Sequence, residues 1–235
     1  MKKRKSERDH IEEAREKLLA AILPHVEFDG WSAEAYARAL SETGLTPDLA
    51  SGATPRGAVD LAASFHRAGD QAMVSALSGP EFEVLSIREK IAFAIRWRIS
   101  FIAPYREQVR RALSLYAMPA HMGEGTEMLW KTADLIWNAA GDTAQDANYY
   151  TKRTILSAVY SATLLYWLSD DSEEFEDSWA FLDRRIENVM QFEKLKANVL
   201  NSPVGGSFSK LMESFRKPDA DHKRSFPGYS DELNS

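Results

Sequence analysis

The chain has 235 residues, of which 44% are hydrophobic, 11% aromatic and 27% charged, which is the composition of a globular protein with material for one good core. Its formal charge of -6 argues mildly against non-specific nucleic-acid binding, which relies on basic surface to displace counterions. The absence of cysteine excludes disulfide scaffolds, thiol nucleophiles and cysteine metal sites.

Almost every segment carries the helical period, and no alternating strand stands out, so the expected class is all-α. A first helix is expected over Ser6 to Leu23. A second starts at the capping Ser32, with Glu34 in its positive first turn. Thr46-Pro47-Asp48 opens a third, and Thr54-Pro55 repeats that device for a longer helix with Leu61, Phe65, Ala68 and Ala72 on one face. Ser86 and Glu89 form a capping box before a helix whose inner face is Ile87, Ile91, Ile95 and Ile102. Pro104 begins the next, facing inward with Val109, Ala112, Leu113 and Tyr116. Met118 to Thr126 reads as a flexible connection. A helix with the stripe Leu129, Ala133, Ile136, Trp137 and Ala140 follows and stops at Gly141. Two long helices are expected over Asp146 to Leu168 and Ser172 to Leu200, making about nine helices in one domain of residues 1–200.

After Leu200 the composition changes. Asn201 to Gly206 reads as a linker, and Phe208, Leu211, Met212 and Phe215 at i, i+3, i+4 and i+7 make a short amphipathic helix before a polar tail expected to be disordered. Thr154 to Leu168 is uncharged, but its 15 residues fall short of the roughly 20 that span a bilayer. It reads as a helix covered by protein or lining an apolar cavity. The N-terminus is basic but lacks the apolar core of a signal peptide and the composition of a transit peptide, so the expected location is the bacterial cytoplasm.

No catalytic motif emerges, and no catalytic, metal-ligating or cofactor-binding residue is assigned. Gly205-Gly206 opens neither a dinucleotide fingerprint nor a phosphate loop, and the five histidines lie far apart with no Glu-x-x-His pair for a di-iron site. The acidic run Asp170 to Asp177 lacks the glycine and the alternating ligands of a calcium loop; it reads as a helix start.

Three short helices before a larger helical body are the outline of a TetR-type transcriptional regulator, which would bind DNA. The segment that would enter the major groove, Pro47 to Gly57, offers only Arg56 as a base, so no nucleic-acid partner is expected and the regulator stands as the alternative reading.

Four stretches together resemble the COQ9 family of ubiquinone-biosynthesis accessory proteins: PHVEFDGWS (24–32), PRGAVDLAASFHR (55–67), GDTAQDANYYTKRTILSAVYSATLLYWL (141–168) and FEDSWAFLDRRI (175–186). The resemblance implies a TetR-like fold that does not act on DNA. It also implies a homodimer that binds an isoprenoid or quinone lipid, sits peripherally on the bacterial inner membrane and presents the lipid to the demethoxyubiquinone hydroxylase.

Under that resemblance Phe101, Trp130, Trp137, Ile155, Val159, Tyr160, Thr163 and Trp167 are the expected lipid-binding residues, although their spacing equally fits a filled core. Phe208, Leu211, Met212 and Phe215 become the membrane-binding face, where a fold-back onto the domain is the other reading.

The family's docking patch, D-x-N-W-Y-T-[KR]-R, is matched by Asp146, Asn148, Tyr150, Thr151, Lys152 and Arg153, with Tyr149 in place of the tryptophan. Asp142, Asp146, Asn148, Tyr149, Tyr150 and Arg153 are therefore the expected partner-binding residues. Within the block, Gly141 ends one helix while Thr143 and Asp146 have capping-box spacing for the next. Asp146, Tyr149 and Arg153 share a face and Tyr150 points about 100° away. Stabilising the helix start is the other role open to that face.

Overall fold

The computed structural model describes the backbone of residues 7–143 and 147–200, and the side chains of residues 8–143 and 148–189. Among these residues the chain forms α-helices joined by turns and two short 3-10 segments, with no strand. It divides into two compact units, residues 1–186 and residues 187–235.

In the first unit α1 (Glu7–Asp29) buries Ala14, Leu18, Ile22 and Val26, one residue per turn on a single face. It runs past the expected end at Leu23 because Pro24 removes only its own N–H; Gly30, at φ 68°, ends it by donating to the Val26 carbonyl at 3.0 Å. Helix α2 (Ala33–Thr43) and α3 (Pro47–Ala53) pack on α1 with the expected caps: Ser32 Oγ accepts from the Ala35 N–H (3.1 Å) and Thr46 Oγ1 from that of Leu49 (3.4 Å).

Thr54 does not open the next helix. Its hydroxyl donates back to the Ala50 carbonyl (2.9 Å) and bonds Tyr36 Oη (2.7 Å), which closes α3, and α4 (Ala58–Ala76) starts after Gly57 at φ 60°. The buried face of α4 continues from Leu61 and Phe65 to Gly69, Asp70 and Met73, while Ala68 and Ala72 are half-buried. A short α5 (Pro80–Glu83) precedes α6 (Ile87–Ile102), where the Ser86–Glu89 capping box forms as expected. Ile87 is 49% exposed, and the face that α6 buries is Ile95, Arg98, Ile99 and Ile102.

A 3-10 turn at Ala103–Tyr105 leads to α7 (Arg106–Tyr116). The connection expected to be flexible is a tight turn, with the His121 N–H on the Met118 carbonyl (2.9 Å), and α8 (Met122–Ala139) has already begun by Thr126. A Cβ on Gly125 would lie 2.8 Å from that of Tyr116, so glycine permits α7 and α8 to meet there.

Helix α9 (Ala147–Trp167) ends under two arginines of α7: Arg106 donates to the carbonyls of Trp167 (2.7 Å) and Asp170, and Arg110 donates to that of Leu168 (2.8 Å). Cations belong at this end, where the last carbonyls are unpaired and the helix dipole is negative. Helix α10 (Glu176–Leu200) begins after a 3-10 turn at Glu173–Phe175 and, within the first unit, buries Ser178, Leu182 and Ile186. Asp170 secures this start by accepting from the N–H groups of Ser172 (2.9 Å) and Ser178 (2.8 Å) and from both hydroxyls. Burial opposes its ionisation, but those four donors outweigh it and hold the carboxyl at about 2.

The linker and the amphipathic segment with Phe208, Leu211, Met212 and Phe215 lie outside the described residues, as do Asp146 and the second half of its capping box. Among the described residues no helix is long and apolar enough to cross a membrane.

Candidate functional site

Helices α4, α6, α7, α8 and α9 line a cavity of about 340 Å³ that opens to the surface beside the exposed Met122 and Leu165. Its wall is mostly aliphatic and aromatic: Phe65 from α4, Ile102 from α6, Val109, Leu113 and Tyr116 from α7, Met122, Met128 and Leu129 from α8, and Tyr160, Leu164 and Leu165 from α9. The volume is at the small end of the roughly 300–1,000 Å³ range of ligand sites, and the composition, apolar with a few polar groups, is typical of them.

Its polar residues include His66 and Arg98, with hydroxyl-bearing Tyr116, Thr126, Tyr160 and Ser161 beside them. Arg98 is 1% exposed; its Nε donates to Asp70 Oδ1 (2.9 Å) and its Nη2 to the His66 carbonyl (3.0 Å). Thr132 Oγ1 lies 3.0 Å from both Asp70 Oδ2 and His66 Nε2. Burial works against the Asp70 carboxylate, but the hydrogen bond from His66 and the charges of His66 and Arg98 overcome it and lower its pKa. The sequence reading missed this cluster, although two signals were present: His66 and Asp70 stand four apart on one helix, and Arg98 is the charge between Ile95 and Ile102 on an otherwise apolar face.

Of the eight expected lipid-binding residues, Tyr160 is the one on the cavity wall. Val159 and Thr163 are buried in the helix packing, where the Thr163 hydroxyl donates to the Val159 carbonyl (2.8 Å), and Ile155 is half-buried. The larger rings have found other partners. Trp167 is fully buried beneath the Arg106 guanidinium, 5.5 Å from its centroid. Trp137 donates to the Lys152 carbonyl (3.1 Å), Phe101 stacks on Trp97 at the surface (5.4 Å), and Trp130 lies 6.1 Å from the ring of Tyr150.

The expected docking residues divide into a buried and an exposed set. Arg153, 1% exposed, donates to Asp134 through Nε, to Asp142 Oδ2 (3.0 Å) and the Tyr149 carbonyl (3.2 Å) through Nη1, and to Asn138 Oδ1 (3.2 Å) through Nη2. The Tyr149 ring lies flat on this guanidinium, 3.4 Å from centroid to carbon, with its hydroxyl on Asp134 (3.1 Å). Asp142 also takes the Lys152 ammonium (2.7 Å). Arg153, Tyr149 and Asp142 thus fasten α8 to α9 across the turn at Gly141, whose φ is 87°. Arg153 does not reach the surface to meet a partner, because each of its three guanidinium nitrogens is bonded inside. Asn148 and Tyr150 face outward, and Tyr150 is 64% exposed.

On the DNA side, α3 carries no base, and Arg56 is bonded to Asp60 (2.8 Å) and to Glu124 (2.8 and 2.9 Å). That leaves this region without a free cation for a phosphate.

Residues 122–193, which cover α8, α9 and most of α10, match the family described as COQ9. The chain is 28% identical over 207 residues to the probable ubiquinone biosynthesis protein coq9, mitochondrial, of Dictyostelium discoideum, covering 86% of this chain and 67% of that protein. It is 32% identical over 186 residues to the human ubiquinone biosynthesis protein COQ9, mitochondrial, covering 76% and 58% respectively. The Drosophila melanogaster protein of the same name is 28% identical over 189 residues. The chain thus spans about three fifths to two thirds of the length of these relatives.

Their names overturn the bacterial cytoplasmic and inner-membrane location expected from the N-terminus: from amoeba to human, they are mitochondrial proteins. An address is read from a targeting segment and not from the fold, so a basic N-terminus was a poor guide to it. The fold itself is shared with a TetR transcriptional regulator from Nitrosomonas europaea, at a TM-score of 0.62 and 16% identity, over 74% of this chain and 96% of that one. The helical arrangement is thus that of a TetR regulator, α8 to α10 match the COQ9 family, and relatives named for that family align over three quarters of this chain or more.

Proposed function

We propose that this protein serves ubiquinone biosynthesis as a non-catalytic carrier, holding an isoprenoid or quinone intermediate in the cavity between α4 and α9 and delivering it to the demethoxyubiquinone hydroxylase. The observation that carries the reading is the cavity itself: about 340 Å³ of mostly apolar space walled by five helices of the first unit. An unfilled apolar cavity costs stability roughly in proportion to its volume, so a fold that keeps one has a reason to. The names of the relatives supply the pathway.

Docking falls to the exposed side of the α8–α9 junction, where Tyr150 and Asn148 face outward and Trp130 lies alongside. Tyrosine and tryptophan on a rigid support are the residue types that anchor interfaces. Membrane contact through Phe208, Leu211, Met212 and Phe215 and assembly as a homodimer complete the proposal; the first would bring the cavity to the bilayer where such lipids reside.

Mass spectrometry of lipids extracted from the purified protein tests the carrier role: isoprenoid or quinone species at near one per chain are expected, and a lipid-free preparation that also takes up none from vesicles overturns it. For docking, Tyr150→Ala is expected to abolish hydroxylase capture, while undiminished capture places the interface elsewhere.

A further inference from the structure

The polar wall of the cavity is incompletely paired. Arg98 uses Nε on Asp70 and Nη2 on the His66 carbonyl, but its Nη1 is buried with no hydrogen-bond partner among the described residues. Tyr116, across the cavity on α7, has a buried hydroxyl in the same condition. Among the described residues, no other buried polar atom lacking a partner belongs to a residue that lines this cavity. Buried donors are nearly always satisfied, and leaving one unpaired costs about 1–3 kcal/mol. Two of them around one empty apolar space point to a ligand that brings acceptors.

The charge balance narrows that ligand. Asp70 already neutralises Arg98, through a direct ion pair at 2.9 Å in which both side chains are buried, so with the nearby His66 imidazole neutral the cluster carries no net charge. A carboxylate placed here would add an unbalanced negative charge to a low-dielectric site, whereas a carbonyl oxygen would accept the spare N–H at no such cost. Tyr116 remains a donor, since burial and the neighbouring Glu124 push its phenol above the ordinary value. Gly69 holds the arrangement: a Cβ there would lie 2.5 Å from the Arg98 guanidinium carbon, so the fork rests on bare backbone of α4.

We propose that Arg98 and Tyr116 form a polar subsite of the cavity that takes a neutral carbonyl oxygen, of ketone or quinone type, on an otherwise apolar ligand, and that it discriminates against a carboxylate of the same shape. This rests on the carrier reading and adds to it which end of the ligand lies inside: the oxygen-bearing end, seated between α4, α6 and α7.

Three probes of one shape test it: 4-hexylacetophenone, hexylbenzene and 4-hexylbenzoate, each titrated into the intact protein by calorimetry at pH 8. The ketone is expected to bind roughly tenfold tighter than the hydrocarbon, and the carboxylate weakest. Tyr116→Phe, which removes only the hydroxyl, is expected to weaken the ketone about fivefold and leave hexylbenzene unchanged. The double variant Arg98→Met/Asp70→Asn removes both charges together and is expected to erase the remaining preference, with circular dichroism confirming the fold. Equal binding of ketone and hydrocarbon overturns the subsite while leaving the cavity as a lipid site. A carboxylate that binds tightest, or a ketone preference that survives both variants, overturns it as well. Failure of all three probes to bind overturns the subsite and the carrier reading together.

Discussion

Among the described residues two arginines are almost completely buried, and they differ in one nitrogen. Arg153 has every nitrogen of its fork engaged, on two carboxylates, an amide and a carbonyl, with the Tyr149 ring on its face. Arg98 has one carboxylate, one carbonyl and one nitrogen left over beside a cavity. Burial of a charge therefore does not tell its role by itself: the Arg153 fork is bonded at each nitrogen and fastens two helices, whereas the Arg98 fork has a nitrogen to spare on the cavity wall, the one assigned above to a ligand.

Arg153→Ala should break that comparison most severely, because it takes the guanidinium away from Asp142 and Asp134 together. A loss of about 4–5 kcal/mol is expected in urea denaturation, at the upper end of what removing one member of a buried ion pair costs. Arg98→Met takes the guanidinium from Asp70 alone, which keeps His66 and Thr132, and should cost about 3 kcal/mol, most of it regained when Asp70→Asn is added. If the two single variants are equally destabilising, the distinction between fastener and site fails. The Asp70 carboxyl is held below its ordinary value, so its contribution is present above the usual carboxylate range and lost as pH falls through the folded-state value.

Gly69→Ala presses a methyl group on the Arg98 fork and should cost about 1–3 kcal/mol, with the cavity ligand lost before the fold. Asp170→Asn tests a third buried charge, one satisfied by four donors at the start of α10; about 1–2 kcal/mol is expected at neutral pH. Because this carboxyl titrates at about 2 in the folded chain and near 3.8 unfolded, the wild-type advantage should persist above pH 4 and vanish as pH drops toward 2. The smallest effect on stability belongs to Tyr150→Ala, expected to be within about 0.5 kcal/mol of wild type because the ring is mostly exposed, even as it removes hydroxylase capture. A large destabilisation there would make Tyr150 part of the fastener.

Local chemistry made part of this readable in advance. The caps at Ser32, Thr46 and Ser86–Glu89 depend on side chains reaching backbone within three residues, and they form as the residue types require. Thr54-Pro55 has the same letters and a different outcome, because Tyr36, eighteen positions away, holds the Thr54 hydroxyl. The aromatic residues assigned to a lipid site went astray for a related reason. A tryptophan in an apolar helix has a large face and one donor, and which neighbour meets them is decided by other helices: Arg106 for Trp167, Lys152 for Trp137.

The docking block shows both levels in thirteen residues, Gly141 to Arg153. Spacing correctly put Tyr149 and Arg153 on one face and Tyr150 on another, but not which face looks outward; Asp134 and Asn138 on α8 turned the first inward.

What the sequence determined by itself was the helical class, most helix boundaries and the COQ9 resemblance, since periodicity, caps and long matched stretches are all written in consecutive residues. Only the tertiary structure decided where the cavity lies, that His66 and Arg98 on its wall meet Asp70 and Thr132, and that one nitrogen of Arg98 is left over. Those are properties of five helices brought together, and hydrogen-bond satisfaction can be judged only when every neighbour is in place.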